Sequence, residues 1–164
     1  MVTFAQTLTG LHGLVRWAAV VAASWMLALA IVALVRRRGP RPLDRRSLTM
    51  MTGVLHAQVG LGVLIAATLF AAGAPPFEGR SGTLIGHSLG GVLMASAATL
   101  AIVVGRRGKT PFAQSAWMAA FVALAWLLLG KWTISIPLVG VGLIAAFVLD
   151  RPSAPMPAAP TPPE

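Results

Sequence analysis

Three histidines, His12, His56 and His87, are the residues of this sequence best suited to chemistry, because each lies in an apolar stretch long enough to cross a membrane. An ionisable side chain inside a bilayer is costly, so such a residue is expected to serve a cofactor, a metal or a partner group. A neutral histidine can instead hydrogen-bond to a neighbouring helix. Because all three lie in apolar stretches and none in a loop, we favour a cofactor or metal role for them.

The depths of the three histidines divide them into a pair and a single residue. His12 lies about three residues from the end of its span that is farther from the arginine-rich loops described below. His87 lies about four residues from the corresponding end of its own span, so the depths of the two histidines differ by roughly 1.5 Å. His56 lies about nine residues from the other end of its span, which places it roughly 20 Å from the depth of His87. His12 and His87 are therefore candidate ligands of one metal centre. His56 would serve a second site, a quinone or another metal, or merely pack. Gln58 lies well away from the His56 face of its helix, so we expect it to form a hydrogen bond to another helix rather than to assist His56.

Small residues beside the paired histidines suit a flat, wide ligand such as haem b, held between two facing helices of a bundle. Gly90 and Gly91 lie one turn from His87 and would leave room for the macrocycle. Arg16 lies one turn from His12, where its guanidinium could pair with a haem propionate. The alternative for Arg16 is that it snorkels to the membrane interface.

The glycines around His87 have a second interpretation. Gly82, Gly86 and Gly90 form a repeated G-x-x-x-G, which lets membrane helices approach closely, and we expect helix packing to be part of their role. The stretch from Gly86 to Gly90 also matches the G-x-S-x-G motif of hydrolases. That motif needs a strand, a sharp turn and a helix, whereas this one lies in an apolar span, and the four acids of the chain lie in loops or the tail. Hydrolase chemistry is therefore not expected.

The composition sets the environment in which these residues must work. Of the 164 residues, 57% are apolar and only 10% are charged, against about 25% charged in a soluble domain. The polar residues cluster, which leaves long uncharged runs between them. There are no cysteines, which excludes disulfides, thiolate metal sites and covalent c-type haem attachment.

The apolar runs predict an all-α integral membrane protein, an up-and-down bundle of four transmembrane helices with a short fifth hydrophobic segment. An aqueous loop is expected around Glu78 and Arg80. Pro137 and two glycines weaken the fifth segment as a helix, but the polar stop at Asp150 favours a fifth span over a packed segment. The bundle would occupy residues 1–150, and the proline- and alanine-rich tail at 151–164 would be disordered. The predicted spans are 9–35, 47–72, 83–105, 112–132 and 133–149.

The basic residues predict the orientation in the membrane. Six arginines fall between Arg36 and Arg46 and three positive charges between Arg106 and Lys109, so two loops on one side carry most of the net charge of +9. The positive-inside rule then places the N-terminus outside the inner (plasma) membrane of a bacterium. No basic face alternates with aromatic residues as base stacking would need, so nucleic acid is not expected as a partner. The expected partners are the lipid bilayer and other membrane subunits or further copies of the chain.

Several short motifs resemble a family of small four-helix bacterial membrane proteins labelled cytochrome b-like. The stretch Leu11–Trp17 resembles the histidine, arginine and aromatic residue of that family's first helix, and His56–Gly62 resembles its second-helix His-x-Gln with following glycines. His87 and the basic loop Arg106–Lys109 match the third helix and its end, and Ile136–Pro137 resembles the close of the family's chain. The resemblance implies haem binding and electron transfer.

Two features depart from that family pattern. The family often carries an acid just before the third-helix histidine, where this chain has Gly86, and the apolar run and tail after Pro137 are additions. The leading expectation is a haem b protein of electron transfer, a subunit of a respiratory or photosynthetic complex rather than a stand-alone enzyme. A cofactor-free accessory or structural subunit is the main alternative. A small transporter is a third, and the absence of acids from the predicted spans argues against proton or hard-cation transport.

Overall fold

The computed structural model describes residues 2–74 and 81–150, and all the regular secondary structure in these residues is helical. Five helices are long and apolar enough to cross a membrane, as expected for a multi-pass membrane protein. The predicted loop at Glu78 and Arg80 and the predicted disordered tail at 151–164 lie outside the described residues. The helices are α1 Val2–Val35, α2 Pro42–Ala71, α3 Ser81–Gly105, α4 Pro111–Leu129 and α5 Trp132–Leu149.

Two helices, α1 and α2, begin at least five residues before their predicted starts, and local chemistry accounts for the earlier start of α2. The structure extends α1 back to Val2 instead of Thr9, through a stretch in which the Thr9 hydroxyl donates to the Ala5 carbonyl. The structure begins α2 at Pro42 instead of Ser47. Proline suits a first helical position, because its fixed φ is already helical and its missing N–H is not needed there. The Asp44 carboxylate caps this helix by accepting from the Arg41 backbone N–H at 2.7 Å.

The junction between the last two helices is set by Gly130. Its left-handed φ of 63° ends α4 at Leu129 rather than at Trp132 as predicted, since a left-handed residue is the usual helix stop. The fifth hydrophobic segment is one continuous helix of 18 residues despite Pro137 inside it. Neighbouring helices commonly compensate for the lost hydrogen bond of a proline in such a span.

The first helix is the centre of the assembly. α1 packs against α2, α4 and α5, while α3 packs against α2 and α4; α1 and α3 are not among the extensively packed pairs of described helices. The first four helices therefore form a ring in chain order, with α1 and α3 diagonally opposite and α5 on the outer side of α1. Small side chains allow this close packing, and the core is rich in alanine, including Ala19, Ala23, Ala30, Ala98, Ala101 and Ala125.

Two tryptophans and a glycine hold the neighbours of α1 in place. The Trp25 indole N–H donates to the Ser47 hydroxyl of α2 at 3.1 Å, and the Trp126 indole N–H of α4 donates to the Ser24 hydroxyl at 3.3 Å. A Cβ added at Gly142 of α5 would lie 3.1 Å from the Ala28 Cβ. The glycine thus lets α5 approach α1 more closely than a side chain would permit.

Both arginine-rich loops lie at one end of the bundle, which we call the basic end. The Ser115 hydroxyl at the start of α4 donates to the Arg38 carbonyl at 2.7 Å, and Gly39 lies against Pro111. The prediction that these loops share one side is therefore confirmed. Asp150 also lies at this end, because it pairs with Arg38. The last residue of α5 is thus at the end opposite His12.

The two described acids are buried here, which the sequence analysis missed by assigning them to loops. Asp44, in the first turn of α2, is 1% exposed, and Asp150 is 4% exposed. Asp44 pairs with Arg38, and Asp150 pairs with Arg36, Arg38 and Arg41. Burial alone would lower the pKa of Arg38, but the hydrogen bonds and charges of Asp44 and Asp150 outweigh it and raise that pKa. Arg38 therefore stays charged at the centre of a network that joins α1, α2 and α5.

Candidate functional site

His12 of α1 and His87 of α3 face each other near the end of the bundle away from the basic loops. Their ring centroids are 6.2 Å apart, with an angle of 65° between the ring planes. The prediction that the two histidines lie at matching depth on facing helices is confirmed. Imidazoles on opposite sides of one metal ion, each with a metal–nitrogen distance of about 2.0 Å, have ring centroids about 6 Å apart. The observed spacing therefore fits a shared ion.

Gln58 of α2 joins this pair through its side-chain amide. The amide nitrogen lies 3.0 Å from His12 Nε2, so Gln58 links α2 to α1, as predicted for a helix–helix hydrogen bond. His12 Nδ1 and Gln58 Oε1 are buried and have no hydrogen-bond partner. A buried polar atom without a partner costs about 1–3 kcal/mol. Each of these two atoms would be satisfied by a further polar group bound beside His12.

The arrangement at His12 becomes that of a metal-binding histidine when the Gln58 amide is turned so that its oxygen lies on His12 Nε2, because the amide nitrogen only donates and leaves the ring proton on Nδ1. Such a histidine presents one ring nitrogen to the metal, while a hydrogen bond to the other nitrogen fixes the orientation of the ring. Here Gln58 holds one nitrogen of His12 and leaves the other without a partner. Gly62 lies one turn further along α2, and its backbone lies close to the His12 ring. A Cβ added at this glycine would lie 3.5 Å from His12 Cε1.

Among the described residues, three helices surround the histidine pair, and no further described helix covers the side between α1 and α3. α4 meets α1 at Ser24, about 12 residues and roughly 18 Å along α1 from His12, and ends a single turn beyond that contact. The walls of the site are therefore α1, α2 and α3. His87 is exposed in this opening, and a planar group could enter between α1 and α3 without displacing another described helix.

The glycines of α3 divide into two kinds. A Cβ added at Gly91 would lie 3.6 Å from the Val59 side chain, so Gly91 faces α2. A Cβ at Gly86 or Gly90 would meet nothing within 4 Å. Within the described part of this chain, Gly86 and Gly90 therefore pack against no other helix, and helix packing at these two glycines stays a prediction. Gly90 instead leaves open space one turn from His87.

Arg16 lies one turn from His12 and is exposed. Its guanidinium carbon is 5.8 Å from the centroid of the Trp17 ring, a cation–π distance. Among the described residues Arg16 has no ion pair. Its charge is therefore available to an anionic group beside the histidine pair.

His56 belongs to a separate place in the bundle. Its Nδ1–H donates to the Thr52 carbonyl at 2.8 Å, and its Nε2 lies 3.4 Å from the Thr99 hydroxyl of α3. Thr99 follows His87 by about 12 residues, or roughly 18 Å of helix. The prediction that His56 lies too far away to join the pair is confirmed. The exposed His56 ring links α2 to α3 on the outside of the bundle.

Sequence reasoning missed three residues of these two sites. Gln58 was expected to link helices but not to touch His12, and neither Gly62 nor Thr99 was singled out. Gln58 and Gly62 are four residues apart, which places them on one face of α2. That spacing was the available signal, but the partner of the face depends on the way α2 packs against α1.

The ligand set limits the kind of metal centre. No group of three His, Cys, Asp or Glu residues capable of holding an ion is present in the described ranges. A structural or catalytic zinc ion needs three or four protein ligands. Two histidines instead suit an iron whose other ligands come from a macrocycle, as in a haem with two axial histidines. Comparisons of the chain with protein-family models, with curated proteins and with solved structures find no match.

Proposed function

We propose that this protein binds one haem b between His12 and His87 and acts in electron transfer. The observation that carries the proposal is the histidine pair, with centroids 6.2 Å apart and one buried His12 nitrogen without a partner. Gln58 and Gly62 contact the His12 ring, Gly90 leaves space beside His87, and Gly91 lets α3 approach α2 at Val59. Arg16 would neutralise a propionate at the open edge of the site.

The bound haem would supply one-electron redox chemistry. A haem held by both His12 and His87 would have no position left for oxygen, so we infer electron transfer rather than oxygen chemistry, and a subunit of a respiratory or photosynthetic complex rather than a stand-alone enzyme. His56 lies on the outside of the bundle, and because its Nδ1–H donates to the Thr52 carbonyl, its Nε2 is an acceptor suited to the hydroxyl of a quinol, the reduced form of a quinone. We assign His56 to this second role.

The proposal is tested by purifying the full chain in detergent after expression with ample haem supply. A dithionite-reduced minus air-oxidised spectrum should show a sharp α band, and a pyridine haemochrome assay should give about one haem b per chain. A purified, helical protein without pigment would exclude the haem proposal.

We further propose an up-and-down bundle in a bacterial inner membrane, with the N-terminus outside. The two arginine-rich loops share one end with Asp150, so five crossings would place both the loops and the end of α5 in the cytoplasm. A C-terminal green fluorescent protein fusion should then fluoresce, and an alkaline phosphatase fusion at the same position should be inactive. The opposite pair of results would reverse the orientation.

A second candidate function, a cofactor-free accessory subunit, is favoured by a different observation. Gly86 and Gly90 face open space on an apolar helix, as they would if a helix of another subunit or of a second copy packed there. The absorption spectrum separates the two functions, because an accessory subunit would purify without haem even when haem is abundant.

A further inference from the structure

A groove at the basic end of the bundle is lined by two arginines, one in α2 and one directly after α3. It lies between α2 and α3, beside the start of α4, and Arg45 and Arg106 both line it. The rest of its lining is mainly apolar and comes from Leu48, Ala101, Ile102 and Met118. A shallower depression containing Arg46 and Met50 adjoins it through Arg45 and Thr49. The groove therefore has a cationic rim and an apolar floor.

The charges of this rim are not compensated by acids in the described part of the chain. The two described acids, Asp44 and Asp150, are buried and pair with Arg36, Arg38 and Arg41. Neither Arg45 nor Arg106 has an ion pair among the described residues. Two arginines lining one groove repel each other, and an anion between them would relieve that repulsion.

The position of the groove selects the kind of anion. Arg106 directly follows the apolar helix α3, and Arg45 lies in the first turn of α2 before its apolar stretch begins. Lipid phosphates lie at this boundary, with their acyl chains beside the apolar residues. Exposed apolar side chains, such as Met50 and Val103, continue from the groove along both helices. A phospholipid matches both parts of the groove, whereas a free anion would leave the apolar floor uncovered.

We propose that this groove is a binding site for an anionic phospholipid. Arg45 and Arg106 bind the headgroup phosphate, for which the planar guanidinium is well suited. An acyl chain lies along the exposed apolar side chains that continue from the groove, such as Met50 and Val103. The bound lipid joins α2 to α3 at the end of the bundle opposite the histidine pair. The site is independent of haem.

Native mass spectrometry of the full chain, released from detergent with added lipid, tests this proposal. The wild-type protein should retain phosphatidylglycerol in preference to phosphatidylcholine. The double variant Arg45→Gln/Arg106→Gln should lose phosphatidylglycerol adducts by about tenfold or more, since each arginine near the headgroup contributes to anionic lipid binding. The matched control Arg107→Gln/Lys109→Gln removes the same two charges from the same end, but outside the groove, and should bind as the wild type does.

Three results would overturn the proposal. Equal losses in the two double variants would mean that binding follows overall charge and not the groove. Equal retention of phosphatidylcholine by the wild type would mean that the apolar surface alone binds lipid, and this comparison needs no variant to fold. Displacement of phosphatidylglycerol by millimolar inorganic phosphate would assign the groove to a free anion.

Discussion

The variants His12→Ala and His87→Ala should each lose the haem absorbance. The two rings lie with their centroids 6.2 Å apart, and under the haem proposal each would supply one ligand to the iron. Loss of a partner that merely orients a ligand costs about 10–100-fold in metal affinity, and loss of the ligand itself should cost more. Haem per chain, measured by the pyridine haemochrome assay on purified variants, should therefore fall at least about tenfold.

Two further variants show whether the loss is specific to ligation. His56→Ala should keep the pigment, because His56 lies near Thr99, roughly 18 Å along α3 from His87. Gln58→Leu should keep haem but bind it more weakly, and it should shift the reduction potential, because His12 loses the hydrogen bond that orients its ring. A full haem complement in either ligand variant would contradict the His12–His87 model.

Asp150→Asn should destabilise the bundle more than any other single exchange at its basic end. The Asp150 carboxylate is 4% exposed and lies within 3.3 Å of the Arg36 guanidinium, 2.9 Å of Arg38 and 2.6 Å of Arg41. Removing one partner from a buried ion pair leaves uncompensated charge and typically costs 3–5 kcal/mol. Arg36 and Arg41 are partly exposed, so solvent reduces the expected loss to about 2–3 kcal/mol. Thermal unfolding in detergent should show an apparent midpoint lower by about 5–10 °C.

The control for this result is Arg107→Gln at the same end. Arg107 is exposed and forms no ion pair among the described residues, so its loss should change stability by no more than about 0.5 kcal/mol. Asp150→Glu, which restores the charge on a longer side chain, should recover part of the stability. Equal midpoints for Asp150→Asn and the wild type would mean that the arginine network does not fasten α5.

The number and place of the apolar helices follow from the sequence alone. Runs of about 20 apolar residues can satisfy their backbone groups in lipid only as helices, so composition determines the secondary structure. Two ends that were predicted wrongly, at Ser47 and Trp132, still have local causes, since Pro42 starts a helix and Gly130 ends one. The matching depth of His12 and His87 is likewise predictable, because the rise of a helix converts residue number into distance. The helical run from Val2 to Leu8 was missed, since nothing in its composition distinguishes the first turns of a helix from the segment that leads into it.

The contacts between helices were decided by the tertiary structure. Depth along the membrane normal is a one-dimensional property, whereas the side of a helix that meets a neighbour depends on rotation and tilt in three dimensions. The sequence could therefore align His12 with His87 but could not place Gln58 on His12 or leave Gly86 and Gly90 facing open space. The sequence shows that Asp44 and Asp150 are present but not that they are buried among three arginines. That network forms only when the end of α1, the start of α2 and the end of α5 lie together.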